Sequence, residues 1–236
     1  MTRTNDQSGF FPIPNRRKGI AVLSLFVVMV LVIGSVNAIS RANAIEESER
    51  NLAHIQSKLN NSIVLPSDYK QVPSFSLQDS TGTNVTEQIF QDRWSLVFFG
   101  YTHCPDICPM TLSVVKEAID SISIELAKQP QVMFITVDPV RDTTDHLNKY
   151  LAYFDPNFIG ITGDVNRLSK WASSMGVMFE RHDQNDKEHY SVDHSSSIFL
   201  IGPQGKIRAL LNAPLDVNTI VSDYETILSS LDGYAS

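Results

Sequence analysis

From Gly19 to Ile39 the chain runs without a charged residue, directly after Arg16-Arg17-Lys18. A helix of that length spans about 30 Å, the thickness of a bilayer's hydrocarbon core, so the segment is expected to enter a membrane. The basic residues precede it. The positive-inside rule then leaves the leader, 1–18, in the cytoplasm and everything after Ser40 on the outer side. Val36-Asn37-Ala38 and Ala42-Asn43-Ala44 also carry the small-residue pattern that a signal peptidase needs. The apolar run exceeds a usual signal h-region and a stalk-like stretch follows it, which favours a retained anchor over 19–39. Either outcome exports the same domain.

Beyond the anchor, Ile45, Leu52, Ile55 and Leu59 recur at helical spacing with charges between them, so residues 40–65 read as a helical stalk or linker that ends at Leu65-Pro66. Residues 66–236 remain, roughly 170, enough for one domain with a core that needs no disulfide staples. Of 19 basic and 26 acidic residues, 4 and 1 precede Gly19, leaving 15 against 25 on the rest. That acidic body disfavours nucleic acid, which is not expected as a partner.

The periodicity gives a fold class. Ser74–Gln78 alternates and Asp79-Ser-Thr-Gly-Thr83 supplies turn chemistry, which predicts a short hairpin. Then come a buried strand over Trp94–Gly100, a helix over Met110–Lys128, a strand over Val132–Val137, a helix over Thr144–Phe154, a strand over Phe158–Thr162 and a helix over Val165–Met175. Alternating strands and helices imply parallel βαβ units. A strand over Val177–Arg181, a polar excursion through His189, a hairpin over Ser197–Leu211 and a helix over Val217–Leu231 close the chain. The order is that of an α/β thioredoxin-like fold with an N-terminal β-hairpin extension, preceded by a single transmembrane helix.

Both cysteines lie in Cys104-Pro105-Asp106-Ile107-Cys108, at the turn from the first central strand into a helix, where open α/β sheets place their sites. Closing so short a ring removes roughly 2 kcal/mol of chain entropy, against nearly 5 for a loop of about 100 residues, so a purely structural bridge explains the pair poorly. Redox activity or metal binding explains it better. Pro109 fits only in the first helical turn, with Asp106 as the expected N-cap. The helix N-terminus should favour thiolate, although Asp106 acts against it.

Three intervening residues, one more than in thioredoxin-like enzymes, let both sulfurs turn toward one ion while still permitting a disulfide, but two thiolates seldom complete a site. His194, in Val192-Asp193-His194-Ser195, stands just before a strand expected to approach the cysteine helix and is the leading third ligand. A Cys2His set suits copper as Cu(I) and Cu(II), and zinc would also accept it. Asp138, at the end of a buried strand, is expected either to support the ligands or to cap the turn at Pro139. His103 adjoins Cys104 but should point away, as a structural residue. His182, Asp183, Asp186, Glu188 and His189 either solvate a loop or collect metal in passing.

Taken together, Tyr101-Thr-His-Cys-Pro-Asp-Ile-Cys-Pro109, Thr136-Val-Asp-Pro-Val-Arg-Asp142 and Asp193-His-Ser195, on a chain with this anchor, resemble the Sco/SenC copper proteins of respiratory membranes. The resemblance covers about residues 66–230. It implies a copper metallochaperone that binds one ion through Cys104, Cys108 and His194 and helps assemble the dinuclear copper centre of cytochrome c oxidase subunit II. It also implies an upstream copper donor and a thiol reductant, since oxidised cysteines bind no copper. Val140 departs from an acidic residue common at that place, a change expected to bear on a partner surface rather than on the ligands. The alternative is a thiol–disulfide oxidoreductase that reduces the cysteines of a copper-protein client. The short charged leader suits a bacterial inner-membrane anchor, with the C-terminal domain in the periplasm.

Overall fold

The computed structural model describes residues 16–123, 128–182, 190–194 and 197–232. It divides into two compact units, with the boundary between Arg50 and Asn51. Helix α1, Arg16–Gln56, is unbroken, so the expected anchor and the first part of the expected stalk form one helix. Phe26, Leu31, Ile33 and Val36 all stand more than half exposed. This helix, near the N-terminus, is long and apolar enough to cross a membrane.

The end of the expected 40–65 linker is folded rather than free. Ile55 is buried, Gln56 Nε2 donates to the Ser62 carbonyl at 2.8 Å, and Gln56 Oε1 accepts from the Val64 amide at 3.0 Å. Strand β1, Ser62–Val64, then joins the main sheet. The sequence reading missed it because a three-residue strand shows too little alternation to register as a period.

β2, Leu77–Asp79, and β3, Asn84–Val85, are the expected hairpin. The central strands are β4, Ser95–Gly100, β5, Gln131–Thr136, and β6, Ile159–Thr162. They pair in parallel, as the βαβ pattern requires. β9, Ile198–Ile201, pairs antiparallel with β4, and β10, Ile207–Leu211, links β9 to β1. The resulting eight-stranded sheet has the order β1-β10-β9-β4-β5-β6-β2-β3.

Every residue of β4 is buried because both faces of the sheet are covered. Leu96 and Phe98 pack with Leu112 and Val115 of α2 (Ile107–Ser121), Leu147 of α3 (Thr144–Ala152) and Tyr224 of α5 (Val217–Asp232). Val97 and Phe99 face the other way, toward Leu168 and Trp171 of α4, Val165–Ser174. Successive side chains of a strand alternate between faces, so one apolar run serves two cores.

A separate ribbon pairs β7, Phe179–His182, with β8, Ser191–His194, in antiparallel register, Arg181 opposite Val192 and Phe179 opposite His194. β8 was not expected. Its signal is the alternation of buried Tyr190 and Val192 with exposed Ser191, hidden in the sequence behind a run of polar residues. Residues 183–189, which include the acidic and histidine cluster considered above as a metal collector, lie outside the described residues, as does the side chain of His182.

Candidate functional site

Cys104 follows the carboxyl end of β4, and Cys108 lies in the first turn of α2. The helix begins three residues before the expected Met110. Pro109 then occupies the third helical position, where a backbone N–H has no intrahelical partner to lose. Asp106 is the N-cap residue by position, yet it makes no side-chain capping bond. Cys104 Sγ instead accepts the Cys108 backbone amide at 3.5 Å, so a sulfur takes the place expected of the carboxylate.

The two thiols have unlike surroundings. Cys104 is half-buried, whereas Cys108 is enclosed by the core. Burial pushes the Cys108 thiol well above its usual range, and the neighbouring sulfur of Cys104 adds to the same effect. At Cys108 burial thus acts against the thiolate that the helix N-terminus favours. Desolvation of a charge outweighs the partial charge of the helix end.

Gly100 makes room for this sulfur. A Cβ added there would meet Phe134 Cε2 at 2.8 Å and Cys108 Sγ at 2.9 Å, both held by packed neighbours. Gly100→Ala should lower unfolding free energy by about 1–3 kcal/mol, the range for overpacking a filled core. A urea unfolding curve matching wild type would show that the strand yields instead.

A cleft of about 610 Å³ opens beside Cys104 and is lined by Tyr101, Ile107, Met110, Val192 and Pro214, among others. Val192 lies on β8, so the ribbon runs past the cysteine turn. The Tyr101 hydroxyl meets the Val192 backbone amide, and burial holds that hydroxyl above its usual range. His194, two residues further along β8, falls at the end of the same strand. Its side chain lies outside the described residues.

Asp138 fastens the ribbon. Its carboxylate accepts the Tyr190 hydroxyl at 2.6 Å and pairs with Arg141, while its backbone carbonyl accepts the Asp142 amide at 3.0 Å. The Arg141 guanidinium lies 3.6 Å from the Tyr190 ring centroid and donates to the Tyr190 carbonyl at 3.2 Å. Asp138 thus serves both the turn and the root of β8. Its carboxylate bonds Tyr190 and Arg141, and neither was expected as a partner from the sequence. Arg141 stood in the quoted motif, but nothing local marked Tyr190 as its partner.

His103 points away from the cysteine cleft, as expected, but its partner there was not foreseen. It turns toward α3, where its ring stacks on that of His146 with centroids 5.5 Å apart, and its Nδ1 lies 3.1 Å from Thr102 Oγ1.

An α/β sheet carrying two cysteines at a strand-to-helix turn, beside an open cleft, defines a thioredoxin-like domain with a wide-spaced cysteine pair. Residues 65–229 match the SCO1/SenC family, and the chain belongs to it. A protein of Stutzerimonas stutzeri named as copper-binding is 35% identical over 158 residues, covering 67% of this chain and 76% of that one. The human mitochondrial protein SCO1 homolog is 35% identical over 133 residues, or 56% of this chain and 44% of its own length. The crystal structure of Arabidopsis thaliana ScoI with copper bound superposes with a TM-score of 0.63 at 31% identity, covering 70% of this chain and 100% of that one. The match therefore spans less than half of the human relative.

Proposed function

We propose that this chain is a membrane-anchored copper metallochaperone that holds one ion through Cys104, Cys108 and His194. It passes the ion to a copper-protein client, the dinuclear centre of cytochrome c oxidase subunit II. The observation that carries the reading is the cleft shared by Cys104 and Val192, which brings the strand ending in His194 to the cysteine turn. The donors fit. Two sulfurs and an imidazole are the soft and borderline ligands that copper takes in both oxidation states.

Copper would supply the positive charge that makes a thiolate stable in a desolvated position. The chain's residues do the rest. Cys104 presents its sulfur to the cleft, and Cys108 contributes a second from the core side. Asp138 acts as a positioning residue, because through Tyr190 and Arg141 it holds the segment leading to His194. Since ligation requires free thiols, an upstream copper donor and a thiol reductant belong to the cycle. With Arg16, Arg17 and Lys18 preceding the anchor, the domain lies in the periplasm of a bacterial inner membrane.

A dithiol reductase is the second reading. The half-exposed Cys104 beside a fully buried Cys108 suits an attacking and a resolving thiol. Copper titration of the detergent-solubilised, reduced full chain separates the two. The carrier reading expects one copper per chain and visible thiolate-to-Cu(II) charge transfer. His194→Ala should weaken Cu(II) at least about ten-fold, by analogy with lost coordination support elsewhere, and leave the thermal midpoint unchanged. Absence of saturable binding despite two free thiols would leave the reductase.

A further inference from the structure

On the α3 side of the cysteine turn, three side chains converge that the cleft does not include. One ring nitrogen each of His103 and His146 and a carboxylate oxygen of Asp142 all lie within 4.8 Å of one another. Asp142 is fully buried, and His146 is exposed in the first turn of α3. The His103 side chain is 44% exposed.

Thr102 sits at the centre. Its hydroxyl donates to Asp142 Oδ1 at 2.6 Å, because an ionised carboxylate only accepts, and its one hydrogen is then committed. Asp142 Oδ2 accepts the Thr102 amide at 3.0 Å and the Thr136 hydroxyl at 2.6 Å. These bonds fix the carboxylate. His103 Nδ1 and His146 Nε2 approach Thr102 Oγ1 at 3.1 and 3.0 Å. His103 Nδ1 also stands 3.8 Å from Asp142 Oδ1. Two surface imidazoles that could turn these nitrogens to water aim them at one point over a buried negative charge.

We propose that His103, His146 and Asp142 form a second metal site, for a divalent ion of the Cu(II) and Zn(II) class, separate from the dithiolate centre. Two imidazoles and a carboxylate are borderline-to-hard donors. They suit Zn(II) and Cu(II), and without sulfur they do not suit Cu(I). Bond lengths of about 2.0–2.2 Å place donors around such an ion roughly 3.4 Å apart, so modest rotation of the two exposed rings closes the set. The site lies one residue from Cys104 in the chain, so a divalent ion held there waits beside the softer centre.

The test removes the other centre first. Zn(II) is titrated by calorimetry into the detergent-solubilised full chain carrying Cys104→Ser and Cys108→Ser, so the outcome does not depend on the carrier reading. One Zn(II) per chain is expected, weakened at least about ten-fold by His103→Ala or by His146→Ala, and unchanged by His54→Ala. His146→Gln keeps a hydrogen-bond donor for Thr102 but has no imidazole lone pair. It should melt like its parent and still lose zinc. Cu(II) in the same background should show nitrogen hyperfine coupling from two imidazoles, and from one after either histidine is replaced. No saturable Zn(II) binding, or binding that survives both alanine substitutions, overturns the site.

Discussion

Cys104→Ser and Cys108→Ser are each expected to weaken copper binding by at least about 100-fold, the upper end of what loss of mere outer support does to a metal site. Serine keeps the shape of cysteine but offers a hard hydroxyl in place of a soft thiolate, which Cu(I) does not accept in exchange. The two variants differ in a second way. Cys104 is half-buried, so its serine keeps contact with water. Cys108 packs among Leu112, Phe134 and Leu147, and a hydroxyl there costs about 1–3 kcal/mol unless it finds a hydrogen-bond acceptor. Cys104→Ser should therefore lose copper at an unchanged thermal midpoint, while Cys108→Ser loses copper and some stability. Metal counting beside a thermal melt checks both, and tight copper binding retained by Cys104→Ser would remove that residue from the ligand set.

Asp223→Ala should be the most destabilising single change around β1. Asp223 lies on α5 and is fully buried. Its Oδ1 accepts the Asn60 amide at 2.8 Å and the Asn60 side chain at 2.9 Å, and its Oδ2 accepts the Asn61 and Ser62 amides at 3.2 and 3.0 Å. One carboxylate thus satisfies the backbone that leads into the edge strand. Alanine leaves these donors unmatched, at about 1–3 kcal/mol for each that water cannot reach. Ser62 is the buried one, and a total near 3 kcal/mol corresponds to a fall of about 6–12 °C in Tm for a domain of this size. Asp223→Asn retains one acceptor oxygen and should fall between. A melt of Asp223→Ala within about 2 °C of wild type would show that β1 docks without this carboxylate.

Neither Asp223 nor β1 could be found from the sequence, and the reason is separation. Asp223 meets Asn60 across 163 positions, and no local pattern marks an aspartate on a helix as a cap for distant amides. The same holds for Tyr190 and Asp138, which meet across 52 positions. By contrast, the parallel strands β4, β5 and β6 were legible because each is a short apolar run between helical periods. The cysteine turn was legible because Pro109 admits so few local conformations. The expected Asp106 cap failed because a capping residue was chosen by type, whereas the sulfur of Cys104, two residues earlier, takes the Cys108 amide.

His103 shows the limit most plainly. Strand alternation alone turned it away from the site, and that expectation held no information about His146, which arrives from α3. Composition and local period decided, by themselves, the long apolar helix, the order of the central strands and helices, and the place of the cysteine pair at a strand-to-helix turn. Each of these rests on interactions among residues close in the chain or on the transfer of an apolar run from water. Only the tertiary structure decided that Cys108 is enclosed while Cys104 faces a cleft, that Asp138 secures β8, and that two histidines meet over Asp142. Those outcomes depend on which distant side chains share a small, desolvated volume, and burial there sets the cost of every charge and the partner of every polar group.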